Sequence, residues 1–175
     1  IGTSRLETVY MNTSWADFYE NIEALCSESD IVAVVEITGV NGQYESGVLM
    51  TNFNARLITP IYGPGENENV VIVQTGGIQG NQKFEIRDDP LMEIGDTYLI
   101  FGRKNDLGTI TILGGPQGRF VYENGKVTTL FDGLPKLRDV DGAVNFLAPA
   151  LQFKNVDISE IIEKVKNYYE SSGRL

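Results

Sequence analysis

Asp30-Ile31-Val32-Ala33-Val34-Val35-Glu36-Ile37-Thr38 is the longest apolar run in the chain that is rich in β-branched residues. It shows no clean polar alternation until Glu36, the pattern of a strand buried on both faces rather than of one lying half in water. Such a strand needs cover from both sides, and the flanking segments carry it. Upstream, Ser14 and Asp17 have the spacing of a capping box, followed by Trp15, Phe18, Ile22 and Leu25 on one helical face. Downstream, a hairpin is expected around Gly39–Gly47, then a long strand over 48–61. There Leu49, Thr51, Phe53, Ala55, Leu57 and Ile61 alternate with Asn52, Asn54 and Arg56. A strand of that length bends, and a bent strand shared by two sheets points to a small barrel.

Further strands are expected at 70–75, 97–102 and 109–113, with a short one at 84–86 inside an otherwise loop-rich stretch, 76–93. Asn124–Gly125 between 119–123 and 126–130 is the strongest hairpin signal in the chain. Residues 132–157 carry Pro135 and Pro149 and little periodicity, apart from a short helix expected at 143–147. Asp157 then caps a last helix, with Glu160 at its third position. Its apolar stripe is Ile158, Ile161, Ile162, Val165 and Tyr168. The organisation that follows is a polar lead-in over 1–13, a barrel domain over 14–131, and an irregular segment plus C-terminal helix over 132–175 packed on the barrel.

Composition narrows the chemistry. With 175 residues the chain is expected to form one domain, or one domain with a helical appendage, that buries roughly 70% of its unfolded surface, enough for a core without disulfides or metals. The net charge is −10, and up to residue 55 Arg5 is the sole cation among Glu7, Asp17, Glu20, Glu23, Glu28, Asp30, Glu36 and Glu45. A nucleic-acid or anionic-membrane surface needs a basic stripe, and there is none. The absence of histidine removes Ser–His and Cys–His catalysis and histidine-containing zinc sites. The single cysteine, Cys26, reads as a small buried hydrophobe. No apolar run approaches the roughly 18 residues of a membrane span. A first residue other than methionine is compatible with a removed signal peptide or lipoprotein leader, or with trimming.

Two groups of carboxylates have the oxygen chemistry of a hard-cation site. One is Asp88–Asp89 with Glu93 and Asp96, also readable as turn chemistry; the other is Asp139–Gly142, which lacks the later ligand positions of a calcium loop. Neither is taken as a metal site, and no motif implies a cofactor. More distinctive is a repeated G-G-x-Q-G, at Gly76–Gly80 and Gly114–Gly118, each directly after an apolar strand. Both segments read as tight turns closing a barrel. Alternatively they lie side by side at one rim and present Gln79, Gln117 and Arg119 to a partner, with Arg119 otherwise pairing with a nearby carboxylate.

The succession SESDIVAVVEITGV (27–40), VVIVQTGG (70–77), DDPLMEIGDTYLIFG (88–102) and GGPQGRF (114–120) resembles netrin-like, tissue-inhibitor-of-metalloproteinase-type domains. It also resembles uncharacterised secreted or lipid-anchored bacterial proteins of that architecture. IGDTYLIFG (94–102) carries the closest local likeness, and the resemblance covers roughly residues 14–130. With the strand pattern it gives the expected fold, mainly β: a small OB-like Greek-key β-barrel with an N-terminal α-helix, to which the capped stripe after Asp157 adds a C-terminal α-helix outside the resemblance; an α+β sandwich is the alternative. A family fold does not carry a family function with it; the expected role is a non-enzymatic extracytoplasmic binding module that recognises a protein or cell-envelope partner through barrel-rim loops, and the alternative is a protease-inhibitor-like protein. The zinc-chelating mechanism of the inhibitory relatives uses an N-terminal cysteine that this chain lacks.

Overall fold

The computed structural model describes residues 5–13, 15–65, 68–130, 136–138 and 141–175. Chain order begins with β1 (Glu7–Met11), α1 (Ile22–Glu28), β2 (Ile31–Glu45), β3 (Leu49–Tyr62) and β4 (Asn69–Thr75). It continues with β5 (Gly77–Gln79), β6 (Gln82–Ile86), β7 (Thr97–Lys104) and β8 (Ile110–Ile112). The remainder holds β9 (Arg119–Glu123), β10 (Lys126–Thr129), β11 (Lys136–Arg138), β12 (Val144–Phe146), β13 (Val156–Asp157) and α2 (Ile158–Ser171). Among the described residues, no helix is long and apolar enough to cross a membrane.

Five strands close into a ring. β2 pairs with β3 on one side and β7 on the other, β3 with β4, β4 in parallel with β8, and β8 back with β7. This is a closed OB-like barrel, mainly β, with one helix before it and one after. The run at 31–37 sits at its centre as expected. Ile31, Ala33, Val35 and Ile37 point into the barrel with Phe53, Leu57 and Ile100. Val32 and Val34 point outward into a second core shared with Leu25, Cys26, Ile161, Val165 and Tyr169 of the two helices. The absence of polar alternation thus has a simple cause: lumen on one face, helices on the other. Each such fully buried Val, Ile or Leu contributes about 1.5–3 kcal/mol of transfer free energy. Four register shifts between β2 and β3 bend the hairpin around the barrel.

Several local expectations are corrected. The helix begins at Ile22, capped by Asn21, whose side chain accepts from Ala24 N at 2.8 Å. Trp15 and Phe18 precede it in non-helical chain, and Ser14 lies outside the described residues. The cause is Gln117: its Oε1 accepts from Tyr19 N at 2.8 Å and its Nε2 donates to Asp17 O at 3.1 Å, taking backbone groups a helix would use. The lead-in holds β1, which pairs in parallel with β6 in a three-stranded sheet ordered β1-β6-β5. The hairpin expected around Gly39–Gly47 is instead continuous strand to Glu45, turning at 46–48. Residues 144–146 are the strand β12, paired with β11, where a short helix was expected over 143–147.

The C-terminal helix is capped by Asp157, which accepts from Ser159 N at 2.9 Å. Tyr169, rather than Tyr168, is its fully buried aromatic, stacked on Tyr62 at 3.7 Å between centroids. The Tyr169 hydroxyl donates to the Cys26 carbonyl at 3.0 Å, which locks α2 onto α1. Burial pushes the Cys26 thiol up to about 12, so it stays protonated and packs as a hydrophobe.

Candidate binding site at the barrel mouth

The ring closes along only part of one edge of β7. Residues 102–104 pair with β8, while 98–100 pair with β9, which lies outside the ring. Between the end of β4 and β9 the barrel would therefore open, and the chain at 89–92 fills the split. Gln74, next after the β4 residues that pair with β8, donates to the carbonyls of Asp89 (3.3 Å) and Pro90 (2.9 Å) and accepts from Met92 N (2.9 Å). From the other side Arg119 donates to Asp89 Oδ1 at 3.0 Å and Pro90 O at 2.6 Å, its guanidinium 4.7 Å from the Tyr98 ring centre. Glu85 accepts from Leu91 N at 2.9 Å. These side chains replace the missing strand ladder, meeting the carbonyls of Asp89 and Pro90 and the N–H groups of Leu91 and Met92, while Leu91 and Met92 enter the barrel core.

Above this plug a second device forms. The Gln43 amide pairs with the backbone of Ile78 as a neighbouring strand would, donating to its carbonyl at 2.9 Å and accepting from its N–H at 2.7 Å. Thr51 donates to the Gly76 carbonyl at 2.7 Å. The contact is so close that a Cβ on Gly77 would collide with Gln43 Oε1 and lie 2.8 Å from the Thr51 hydroxyl, which explains a glycine there. The small sheet is thereby fixed over the arm of β2 and β3 that projects from the barrel.

Between the two lies a concavity of about 490 Å³. Its floor includes Phe53 and Met92, both 2% exposed, and its rim carries Leu6, Val40, Ile78 and Ile94, exposed by 43%, 53%, 43% and 64%. A cavity of this size with an apolar lining and few polar groups has the dimensions of a ligand pocket. Convergence of four large exposed apolar side chains on one hollow is unlike the scattered exposure of ordinary surfaces. Its polar members are Gln43, Thr51, Lys83 and Glu93. Lys83 lies 3.4 Å from Glu85 and 3.7 Å from Glu93.

The residues singled out from sequence are not assembled into one surface. Gln79 is exposed on β5, with its amide 3.4 Å from Glu45. Gln117 is 1% exposed and holds the segment at 17–19. Arg119 is 1% exposed and takes the second option, pairing with Asp89. The two G-G-x-Q-G segments sit at opposite ends of β2. Gly76 N donates to the carbonyl of Leu49, whose partner in β2 is Glu45, whereas Gly118 O accepts from Phe101, whose partner is Val32. The second segment is a 3-10 turn over Gly115–Gln117.

The carboxylates at 88–96 are likewise divided. Asp89 binds Arg119, Glu93 faces Lys83, and Asp96 accepts from the Tyr98 hydroxyl (2.6 Å) and Glu93 N (3.0 Å). Burial pushes the Asp88 carboxyl up; Arg87 opposes the shift and Asp89 adds to it. Among the described residues, no group of three acidic, cysteine or histidine side chains is placed to hold a metal ion. The segment 139–142 lies partly outside the described residues.

The mouth residues escaped sequence reading. Val40 and Ile94 were visible as lone apolar residues among Gly, Asn and Glu, a weak signal that gains meaning only once the fold brings them to one hollow. No known family model matches the chain, and no curated protein is significantly similar to it in sequence.

Proposed function

We propose that this chain is a non-enzymatic, extracytoplasmic binding module that holds an apolar group of a protein or cell-envelope partner in the mouth of its barrel. The observation that carries the reading is the convergence of Leu6, Val40, Ile78 and Ile94, all more than 40% exposed, around one buried apolar floor. A binding role fits the polar groups around the hollow. Gln43 in the lining and Gln74, Glu85 and Arg119 behind it each hold backbone in place, and the ionisable lining residues Lys83 and Glu93 are paired with each other. The contact surface proposed is thus the mouth, in place of Gln79, Gln117 and Arg119. Secretion or lipid anchoring and the netrin-like relationship belong to the same proposal and rest on the sequence resemblance. The OB-like ring is compatible with both and is shared by proteins of many functions.

Nile red, a neutral apolar dye, tests the reading. Titration should give saturable fluorescence enhancement, weakened about tenfold or more in a Val40→Ser/Ile94→Ser double variant with an unchanged melting curve. Leu107→Ser, at an 81% exposed position outside the hollow, should bind as the parent does. A parent that fails to bind the dye, or a double variant that binds it equally, would refute the proposal.

One observation favours a second reading, a protease-inhibitor-like role: among the described residues β1 lies at the edge of its sheet, the position from which an extended segment can pair with a protease. A panel of proteases assayed with and without residues 1–13 separates the two. Absence of inhibition at micromolar concentration removes it.

A further inference from the structure

We infer that the small sheet β1-β6-β5 is a flap that gates the mouth, hinged at one end and latched by the Gln43 amide; this rests on the mouth as the binding site. Topology supplies the hinge. β1 runs parallel to β6 with Met11 beside Ile86, and β5 runs antiparallel to it with Gly77 beside Phe84. The connections from Met11 to Asn12, from Ile86 to Arg87 and from Gly76 to Gly77 therefore gather toward one end of the sheet. At the other end lie Glu7 and the turn between Gln79 and Gln82. Leu6, just ahead of β1, and Ile78 on β5 are two of the four exposed apolar residues of the rim, so movement of the sheet widens or narrows the hollow.

The fastenings differ along the sheet. Among the described residues, neither buried core includes a side chain of β1, β5 or β6, and the sheet's buried large apolar residue is Ile86, at the hinge. At the hinge, too, Gly76 N donates to Leu49 O at 2.8 Å, the Gly76 carbonyl accepts from Thr51 at 2.7 Å, and Glu85 accepts from Leu91 N at 2.9 Å. Farther out, side chains hold it. Gln43 binds both backbone groups of Ile78 (2.9 and 2.7 Å), Gln79 reaches Glu45 (3.4 Å), and Lys83 reaches Glu93 (3.7 Å). The last two contacts are long and open to solvent, with Glu93 72% exposed, and such pairs contribute little. The Gln43 amide is thus the latch, two hydrogen bonds in place of a strand ladder. A unit with few buried apolar contacts and exposed hydrogen bonds opens at far lower cost than the whole domain unfolds. Gating by such a unit sets the rates at which a ligand enters and leaves.

Stopped-flow Nile red binding tests the gate, because the opening of a flap governs entry and exit alike. Gln43→Ala should speed association and dissociation together, each by about fivefold or more, while the amides of the β2–β7 ladder keep their hydrogen-exchange rates. Gln79→Cys/Glu45→Cys joined by a short bis-maleimide should slow both rates by about tenfold or more relative to the same protein capped with N-ethylmaleimide. Cys26 is buried and its thiol stays protonated, so the two introduced thiols take the label.

Equal rates in the cross-linked and capped proteins overturn the flap and leave the mouth reading standing. So does a Gln43→Ala effect confined to dissociation, which makes Gln43 a lining contact alone. Faster exchange throughout the β2–β7 ladder of Gln43→Ala overturns it as well, since the sheet then does not open independently of the barrel. If the parent binds no dye, the mouth reading itself falls and takes the gate with it.

Discussion

Replacing Arg119 by methionine is the sharpest test of how the split barrel is held. The guanidinium is 1% exposed and the Asp89 side chain facing it 9%. Methionine removes the hydrogen bonds to Asp89 Oδ1 (3.0 Å) and Pro90 O (2.6 Å) and strands a carboxylate away from water. Breaking a buried pair from one side costs about 3–5 kcal/mol, because the remaining charge is uncompensated. For a chain of this size about 2–4 °C of melting temperature accompanies each kcal/mol, so Tm should fall by about 6–20 °C. Removing the charge as well should reverse most of the loss. Nε of Arg119 is buried without a partner, so the native pair is itself imperfectly satisfied, and Arg119→Met/Asp89→Asn should approach the parent. Urea unfolding of the four proteins gives the coupling energy, expected at about 2 kcal/mol or more. Dye affinity at the mouth should fall in the single variant and recover in the double, since Leu91 and Met92 sit on the clamped segment. A single-variant loss under about 1 kcal/mol, or a double variant as unstable as the sum of the singles, would refute the clamp as the element that seals the barrel.

Two further outcomes follow from single positions. Burial raises the Asp88 carboxyl in the folded chain, so its contribution to stability is present below the ordinary carboxylate value of about 3.9 and is lost as pH rises through the raised folded value. Asp88→Asn should therefore raise Tm at pH 7, with the gain vanishing near pH 3; an equal Tm at pH 7 would contradict this. Gly115 has φ +53 and lies against the Trp15 ring, where a Cβ would overlap it, so Gly115→Ala should destabilise by about 2–4 kcal/mol and shift the emission of the only tryptophan. Gly108→Ala, at φ +80 with open space around it, should show strain alone, about 1–2 kcal/mol, and no shift in emission; equal behaviour of the two would sink the packing argument.

What could be read from sequence was what local periodicity records. The run at 31–37 showed burial on two faces because lumen and helices enclose it, and the alternation through 49–57 showed a strand with one face inward. Asn124 and Gly125, with φ of 51 and 76, supply the two left-handed residues of a tight hairpin turn, which only a few residue pairs adopt readily. The misreadings have one physical origin in common. Residues 15–20 have helical spacing but are drawn out by Gln117, and β1 exists only through its parallel partner β6. A side chain distant in sequence outweighs local preference in the first case, and a strand distant in sequence does so in the second. The candidate site failed for the same reason. A glutamine in a glycine-rich segment has the same local signature whether it faces solvent, as Gln79 does, or replaces a backbone partner, as Gln117 does.

Sealing the barrel and forming its mouth follow from one topological fact. β7 divides one edge between β8 and β9, so the ring closes at residues 102–104 and parts at 98–100. An opening there would expose Phe53, Ile72 and Ile100 to water, and a strand cannot fill it, because β9 continues away into β10 and β13. The solution is irregular chain whose backbone groups are met one at a time by Gln74, Glu85 and Arg119, while Leu91 and Met92 face inward. Irregular chain leaves its far side unpaired with any sheet, and that side carries Glu93 and Ile94 to the rim. The apolar hollow is thus bounded by the plug that the split ring requires, which is why polar residues essential to the fold lie behind a surface that is itself mostly apolar.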